Sequence, residues 1–241
     1  MAAVRSCPAR ERAAILLQDR PPHNPLRPPC HFPPATRPAR RRTSPTRASP
    51  GRLARVTLRL LLICHAPTEA TRRARFADPG DLPEPSGLAA AQAVRGTPGR
   101  ITRAVRGPEA RCRATAEALG LDAAVPDDAL ADLDVGAWRG LPMDAAGPGL
   151  AAWLADPAAA PHGGEPVAAL LERVASWLEA RPEGPERVAA VTHPAVVRAA
   201  VLHVLGAPAR AFWRLDAAPL SQTRLSRSGG RWRLRETGHA L

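Results

Sequence analysis

Two segments of the chain are apolar almost throughout and are each followed by a histidine. Residues 58–63 are interrupted only by Arg59 and lead to His65, while residues 188–192 are apolar up to their last position and lead to His193. Such runs predict strands buried on both faces, as in parallel sheets. Ligands bind outside the carboxyl ends of such strands, so we expect His65 and His193 to meet in one pocket.

Two later segments carry apolar residues at helical spacing. Residues 167–178 carry apolar side chains at i, i+3, i+4 and i+7, which predicts an amphipathic helix that opens after residues 163–165 and closes before Pro182. A second helix is predicted to begin at Pro194 and to stop at Gly206. Its expected buried side carries Val197, Val201, Val204 and Leu205.

Shorter signals complete the pattern. Residues 101–105 predict a strand, and the next helix is expected to have Pro108 at its first position, Arg111 in its first turn and Gly120 after its end. Residues 228–230, Ser-Gly-Gly, predict a hairpin at a sheet edge. Strands alternating with helices favour an α/β fold, a three-layer α/β/α sandwich with a mostly parallel central sheet.

Charge is concentrated at the amino end. Residues 1–55 hold 12 arginines, two acids and 11 of the 28 prolines, so they supply +10 of the formal net charge of +12. We expect a disordered Arg/Pro-rich tail over residues 1–55 and one folded domain over residues 56–241. An alternative is that the tail reflects an upstream start assignment, with translation beginning near Val56. The near-neutral domain argues against a nucleic-acid-binding protein.

Other classes are disfavoured by what the sequence lacks. No apolar run approaches the 18 residues of a membrane span. The four cysteines form no CxxC pair and no zinc-ligand spacing, which favours a reduced, cytoplasmic setting and no metal. Three further histidines are expected to be structural: His162, His203 and His239.

Several motifs then resemble those of the histidine phosphatase superfamily, the phosphoglycerate-mutase-like fold, across roughly residues 56–241. The family's opening Arg-His-Gly-x-Thr-x-x-Asn is similar to Cys-His-Ala-Pro-Thr-Glu-Ala-Thr at 64–71, and its Ser-Pro-x-x-Arg-x-x-x-Thr-Ala resembles Gly-Pro-Glu-Ala-Arg-Cys-Arg-Ala-Thr-Ala at 107–116. Three later segments resemble the Leu-x-Glu-x-x-x-Gly-x-Trp-x-Gly, Gly-Gly-Glu-Ser and second-histidine motifs: residues 130–140, 163–166 and 191–193.

The resemblance implies a role for each matching residue. His65 would attack phosphorus and become phosphohistidine, and Asp132 would protonate the leaving alkoxide. His193 and Arg111 would donate hydrogen bonds to the phosphoryl oxygens, and Thr68 is placed among the phosphate-binding residues. Neutral imidazole is the nucleophile, so His65 needs an acceptor for its other ring N–H and nearby cations to keep it deprotonated. Positioning and charge stabilisation carry most of such a reaction, so no cofactor is expected.

The sequence departs from the family pattern in its first motif. Cys64 stands at the arginine position, and losing such a phosphate donor costs about 10²- to 10³-fold in rate by analogy with oxyanion-hole deletions. Arg75 is the preferred substitute among the nearby arginines. Ala66 replaces glycine, Thr71 replaces asparagine, and Asp132 is one methylene shorter than glutamate.

These observations predict a phosphomonoesterase that hydrolyses a small phosphorylated metabolite through a covalent phosphohistidine. A mutase is less favoured, because little chain separates Asp132 from Glu165 to form a cap. The alternative is a catalytically weakened or inactive member of the fold that binds a phosphorylated ligand. Cys64 and Cys112 both flank proposed phosphate ligands, which suggests a redox-sensitive pocket as a further hypothesis. The sequence predicts no oligomeric state.

Overall fold

A six-stranded mixed sheet forms the centre of the protein, whose computed structural model describes residues 57–241. The strand order is β3-β2-β4-β1-β5-β6. The first four strands in this order are parallel, β5 runs antiparallel to β1, and β6 runs antiparallel to β5, so the predicted mostly parallel sheet is confirmed. The strands are β1 (Leu58–Cys64), β2 (Arg103–Arg106), β3 (Val125–Pro126), β4 (Arg187–Thr192), β5 (Ser221–Ser228) and β6 (Arg231–Ala240).

Helices cover both faces of this sheet. They are α1 (Glu69–Arg72), α2 (Pro85–Ala93), α3 (Ala110–Ala118), α4 (Pro148–Ala155), α5 (Val167–Glu179) and α6 (Pro194–Leu205), with 3-10 turns at Asp128–Leu130, Gly136–Trp138, Met143–Ala146 and Ala209–Arg214. Alternate residues of β1 enter different cores because successive side chains of a strand point to opposite faces. Leu60 and Leu62 pack with α5 and α6, whereas Leu61 and Ile63 pack with α2 and α3. The three-layer α/β/α architecture is confirmed.

The boundaries of α3 and β2 differ from the predicted ones. The first helical residue is Ala110, not Pro108, and the extended backbone of Glu109 (φ −65°, ψ 150°) makes it the N-cap. The helix end is as predicted, with Gly120 at φ +80°. The strand β2 begins at Arg103, two residues later than expected, although the backbone N–H of Thr102 already donates to the Arg187 carbonyl of β4.

The two ends of α6 are as predicted, but two of its four predicted buried positions are not buried. Pro194 is the first helical residue, and Gly206 ends the helix in the left-handed region at φ 61°. Val197 and Val201 are buried, whereas Val204 is only partly buried. Leu205 is 59% exposed. None of residues 203–206 is buried, so the last turn of α6 lies outside the core.

The hairpin between β5 and β6 is confirmed at the edge of the sheet. Gly229 and Gly230 have φ of 60° and 71°, which is the requirement of a tight two-residue turn with both central residues in the left-handed region. In the part of the chain that the structure describes, no helix combines the length and apolarity of a membrane span. The predicted tail of residues 1–55 lies outside the described residues, and its disorder stays a prediction.

Candidate active site

The carboxyl ends of β1 and β4 are neighbours, and this brings two histidines together. Cys64 pairs with Thr192 in the parallel register, and the backbone N–H of His65 donates to the Thr192 carbonyl at 2.9 Å. The His65 and His193 rings lie 5.2 Å apart between centroids, at an angle of 64°. Both side chains are buried. Residues separated by more than 120 positions therefore share one site.

The tautomer of His65 is fixed by the backbone. Its Nδ1 lies 2.7 Å from the Ala66 carbonyl oxygen, which can only accept a hydrogen bond, so Nδ1 carries the proton. Burial, followed by the positive charges of His193 and Arg111, lowers the pKa of His65 from 6.5 to about 3. At neutral pH the ring is uncharged, and Nε2 keeps a free lone pair. This is the state that a nucleophilic imidazole requires.

Arg111 lies at the centre of the site, held by the start of α3. Its side chain is only 2% exposed. Nη2 donates to Oδ2 of Asp132 at 2.7 Å, Nη1 donates to the Asp78 carbonyl at 2.8 Å, and Nε lies 3.3 Å from Nδ1 of His193. One guanidinium thus contacts three separate segments of the chain, which only its planar array of donors allows.

His193 is surrounded by groups that favour its protonated form. Nε2 lies 2.7 Å from Oε2 of Glu109 and 3.3 Å from Sγ of Cys112, and Nδ1 lies 3.4 Å from Oδ2 of Asp132. Burial lowers the pKa of His193, but Asp132, Cys112 and Glu109 outweigh it and raise the pKa to about 10. The ring is therefore an imidazolium at neutral pH, with a proton on each nitrogen.

Asp132 is ionised in this arrangement. Its Oδ1 accepts the backbone N–H of Leu133 at 2.9 Å, and its Oδ2 faces Arg111 and His193. Burial raises the pKa of Asp132, but His193, Arg111 and His65 outweigh it and hold the pKa at about 2. The carboxylate occupies the donors that the sequence analysis assigned to phosphate.

Glu109 is a site residue that the sequence analysis missed. Its side chain reaches His193 and the backbone of Asp132. Burial raises the pKa of Glu109, but the hydrogen bond and charge of His193 and the Asp132 N–H lower it to about 2. The only available signal was its position two residues before Arg111, because nothing local predicts a partner 84 residues away.

Cys64, at the position of the family's first arginine, carries no charge. The thiol is fully buried, with Sγ 3.7 Å from the Ala217 carbonyl, and burial raises its pKa well above its usual range. It therefore stays neutral. Arg198 of α6 contacts the same segment, since its Nε donates to the Leu215 carbonyl at 2.8 Å and its guanidinium lies over Trp213.

Thr68 and Arg75 are placed differently from the four central residues. Oγ1 of Thr68 accepts the Thr71 N–H at 3.2 Å and so caps α1. Arg75 lies 3.6 Å from Asp81 and 3.5 Å from the Gly140 carbonyl. Among the described residues, no hydrogen bond or ion pair joins either side chain to His65, Arg111 or His193. Their phosphate-binding role stays a prediction.

Thr115, which is in register with the family motif, connects two parts of the site. Its Oγ1 accepts the backbone N–H of Ala66 at 3.0 Å and donates to the Arg111 carbonyl at 2.7 Å. The loop that carries His65 is thereby tied to the helix that carries Arg111. The side chain positions backbone rather than facing a ligand.

One group of donor atoms has the composition of a metal site. Glu109, Cys112 and His193 each offer an atom within 4.8 Å of the other two. These atoms are hydrogen-bonded to one another through Nε2 of His193. We therefore assign the group to the hydrogen-bond network of the site.

The three histidines that were expected to be structural have partners elsewhere. Nδ1 of His162 accepts the Gly164 N–H at 2.9 Å, and its ring packs 5.0 Å from Trp138. His203 lies 2.8 Å from Glu179, and His239 lies 3.6 Å from Glu236. None of these contacts involves His65 or His193.

Comparison with known proteins identifies the family. Residues 60–239 match the model of the histidine phosphatase superfamily (branch 1). The chain belongs to this superfamily. No curated protein matches it.

Several solved structures share this fold. A structure named mycobacterial hydrolase 1 is 26% identical, with a TM-score of 0.67, over 77% of this chain and 100% of its own. A mycobacterial glucosyl-3-phosphoglycerate phosphatase is 27% identical, with a TM-score of 0.65, over 77% of this chain and 100% of its own. The phosphoserine phosphatase of Entamoeba histolytica is 17% identical, with a TM-score of 0.68, over 75% of this chain and 96% of its own, and shows the fold alone. The findings support a phosphatase of this superfamily.

Proposed function

We propose that the protein is a phosphomonoesterase that hydrolyses a small phosphorylated metabolite through a phosphohistidine on His65. The observation that carries the proposal is the pairing of opposite protonation states. A neutral His65, with Nδ1–H held by the Ala66 carbonyl, lies beside a protonated His193 and Arg111. A nucleophile and two cationic donors within one buried site are what phosphoryl transfer needs.

In the first step Nε2 of His65 attacks phosphorus, and the P–O bond to the alcohol breaks. The leaving alkoxide takes a proton from the Asp132 carboxyl, and His193 and Arg111 donate to the phosphoryl oxygens. In the second step water attacks the phosphohistidine, Asp132 takes its proton, and the P–N bond electrons return to His65. Inorganic phosphate leaves.

Asp132 must gain its proton when substrate binds. It is ionised in the free protein because Arg111 and His193 stabilise its charge. A phosphoryl dianion that binds to the same donors adds negative charge beside the carboxylate and raises its pKa. Substrate binding and protonation of the acid are thereby coupled, and proton uptake on binding is an expected signature.

The comparison with the mycobacterial phosphatase supports this class of substrate. That protein, at 27% identity, has been solved with inorganic phosphate as well as with VO3. A phosphorylated sugar acid is thus a reasonable first substrate to test.

Arg75 stays our candidate for the cation that Cys64 does not supply, and it would have to leave Asp81 to reach the site. A cytoplasmic location stays a prediction.

A second candidate is a phospho-ligand-binding protein with little or no turnover. Two observations favour it: the motif arginine is a buried, neutral cysteine, and every nitrogen of Arg111 already faces a group of the protein. Such a protein would bind phosphate esters without releasing phosphate.

The test is hydrolysis of para-nitrophenyl phosphate and a panel of phosphorylated metabolites, including glucosyl-3-phosphoglycerate, by the full-length protein. We expect His65→Ala to abolish phosphate release and acid-labile labelling from a ³²P substrate. His239→Ala, a change at an exposed histidine on β6, should leave both intact. Activity that survives in His65→Ala contradicts the nucleophile assignment, and binding without turnover in the wild type supports the second candidate.

A further inference from the structure

We propose that Glu109 is a positioning residue that holds His193 as a doubly protonated donor and fixes it relative to Asp132. The proposal rests on the function proposed above and adds a residue that the family motif leaves unspecified. Glu109 touches neither substrate nor the attacking nitrogen. It acts through the two groups on either side of it.

The two oxygens of Glu109 have different partners. Oε2 lies 2.7 Å from Nε2 of His193, and Oε1 accepts the backbone N–H of Asp132 at 2.9 Å. One carboxylate therefore joins the end of β4 to the loop that carries the proposed acid. Its side chain is 9% exposed, so water competes little for either bond.

A glycine makes room for this bridge. A Cβ on Gly107 would lie 2.9 Å from Oε2 of Glu109 and 2.9 Å from Nε2 of His193, closer than carbon atoms approach such groups. The family motif has serine at this position, whereas this chain has glycine. A side chain at residue 107 would therefore occupy the space in which Glu109 and His193 meet.

The bridge determines which atom of His193 faces the site. With Nε2–H donated to Glu109, the remaining ring nitrogen, Nδ1, lies 3.4 Å from Oδ2 of Asp132 and 3.3 Å from Nε of Arg111, on the side where a phosphoryl group would enter. If Glu109 were neutral, the second proton would be held less strongly. The charged and titratable groups that contact His193 are Glu109, Arg111, Cys112, Asp132 and His65.

The experiment compares Glu109→Gln, Glu109→Asp and Glu117→Gln in the full-length protein. Glutamine keeps the shape of Glu109 without its charge. Aspartate keeps the charge but is too short to reach both partners. Glu117→Gln removes an exposed charge from the same helix, α3, and serves as the matched control.

The first readout is the titration of the His193 ring, followed by NMR without substrate. In Glu109→Gln we expect His193 to lose its second ring proton at lower pH than in the wild type. In Glu117→Gln we expect the His193 titration to match the wild type. Because no turnover is involved, the result is independent of whether the protein is a phosphatase. A His193 titration that is unchanged in Glu109→Gln overturns the proposal.

The second readout is the pH profile of kcat. In Glu109→Gln we expect the alkaline limb to move to lower pH and kcat to fall about 10- to 100-fold, the range for one charge-assisted hydrogen bond. Glu109→Asp should restore the limb in part. A uniform loss of activity with an unmoved limb would show a merely structural role. If Glu109→Gln does not fold, as judged by its urea midpoint, Glu109→Asp tests the bridge by reach instead of charge: we expect a smaller shift of the limb in the same direction, and an unmoved limb overturns the proposal.

Discussion

At the scale of single residues, the site works by holding opposite charges next to a neutral ring. Arg111 illustrates the point, because two of its nitrogens donate to Asp132 and to the Asp78 carbonyl, its Nε faces His193, and its side chain is buried. A lysine ammonium carries the same charge but cannot reproduce a planar fork of donors. The identity of this cation therefore matters as much as its charge.

We expect Arg111→Lys to lower kcat/KM about 10²- to 10³-fold, the cost of losing a preorganised donor to a developing oxyanion. Arg113→Lys, a change at an exposed position two residues along the same helix, should have little effect. Steady-state kinetics on para-nitrophenyl phosphate measure both. Equal activity in the two variants would contradict a role for Arg111 in binding the phosphoryl group.

At the scale of elements, the loop that follows Asp132 packs backbone to backbone against a second loop. Residues 134–137 and 162–165 are joined by hydrogen bonds from the N–H of Glu165 to the Asp134 carbonyl and from the N–H of Ala137 to the His162 carbonyl. A Cβ on Gly164 would overlap the Asp134 carbonyl oxygen and lie 2.7 Å from the backbone nitrogen of Gly136. The two loops can lie this close because Gly136 and Gly164 have no side chains.

We expect Gly164→Ala to lower the free energy of unfolding by about 3 kcal/mol, the upper range for overpacking in a closely packed region. Gly184→Ala is the matched control, because its Cβ would meet nothing closer than 3.8 Å. Urea unfolding followed by tryptophan fluorescence compares them. Similar midpoints for both variants would show that the two loops can separate at no cost.

At the scale of the whole molecule, the two central histidines have opposite effects on stability as pH changes. The pKa of His65 is lowered from 6.5 to about 3, so below pH 6.5 the unfolded state binds a proton that the folded state does not. The pKa of His193 is raised from 6.5 to about 10, so its contribution is complete below pH 6.5 and is lost as pH rises through 10. The lowered carboxyl pKa values of Glu109 and Asp132, each about 2, add to the acid loss.

We therefore expect the free energy of unfolding to be greatest near pH 6.5 and to fall on both sides. Urea unfolding measures this free energy from about pH 4 to about pH 10, which extends on both sides of the range in which proteins are usually most stable. In His65→Asn the acid decline should be shallower, whereas His239→Asn should follow wild type. A curve that rises steadily with pH would contradict these protonation states.

Much of the fold was predictable because short stretches of sequence determine where its strands, helices and turns form. The apolar runs before His65 and His193, the proline and glycine at the ends of α6, and the Gly-Gly turn all act through nearest neighbours. The boundaries failed where long-range contacts intervened. Glu109 caps α3 and its side chain bonds to His193, and the last turn of α6 leaves Leu205 outside the core.

The sequence by itself determined the family, the sheet and the residues that could carry the chemistry, because periodicity and motif order survive in one dimension. Only the tertiary structure decided how those residues are charged. His65 is neutral and His193 protonated although both are buried histidines at strand ends, because His65 faces the cations His193 and Arg111 while His193 faces two carboxylates. Protonation depends on neighbours in space, and the neighbours of His193 lie 61 and 84 residues away in the chain.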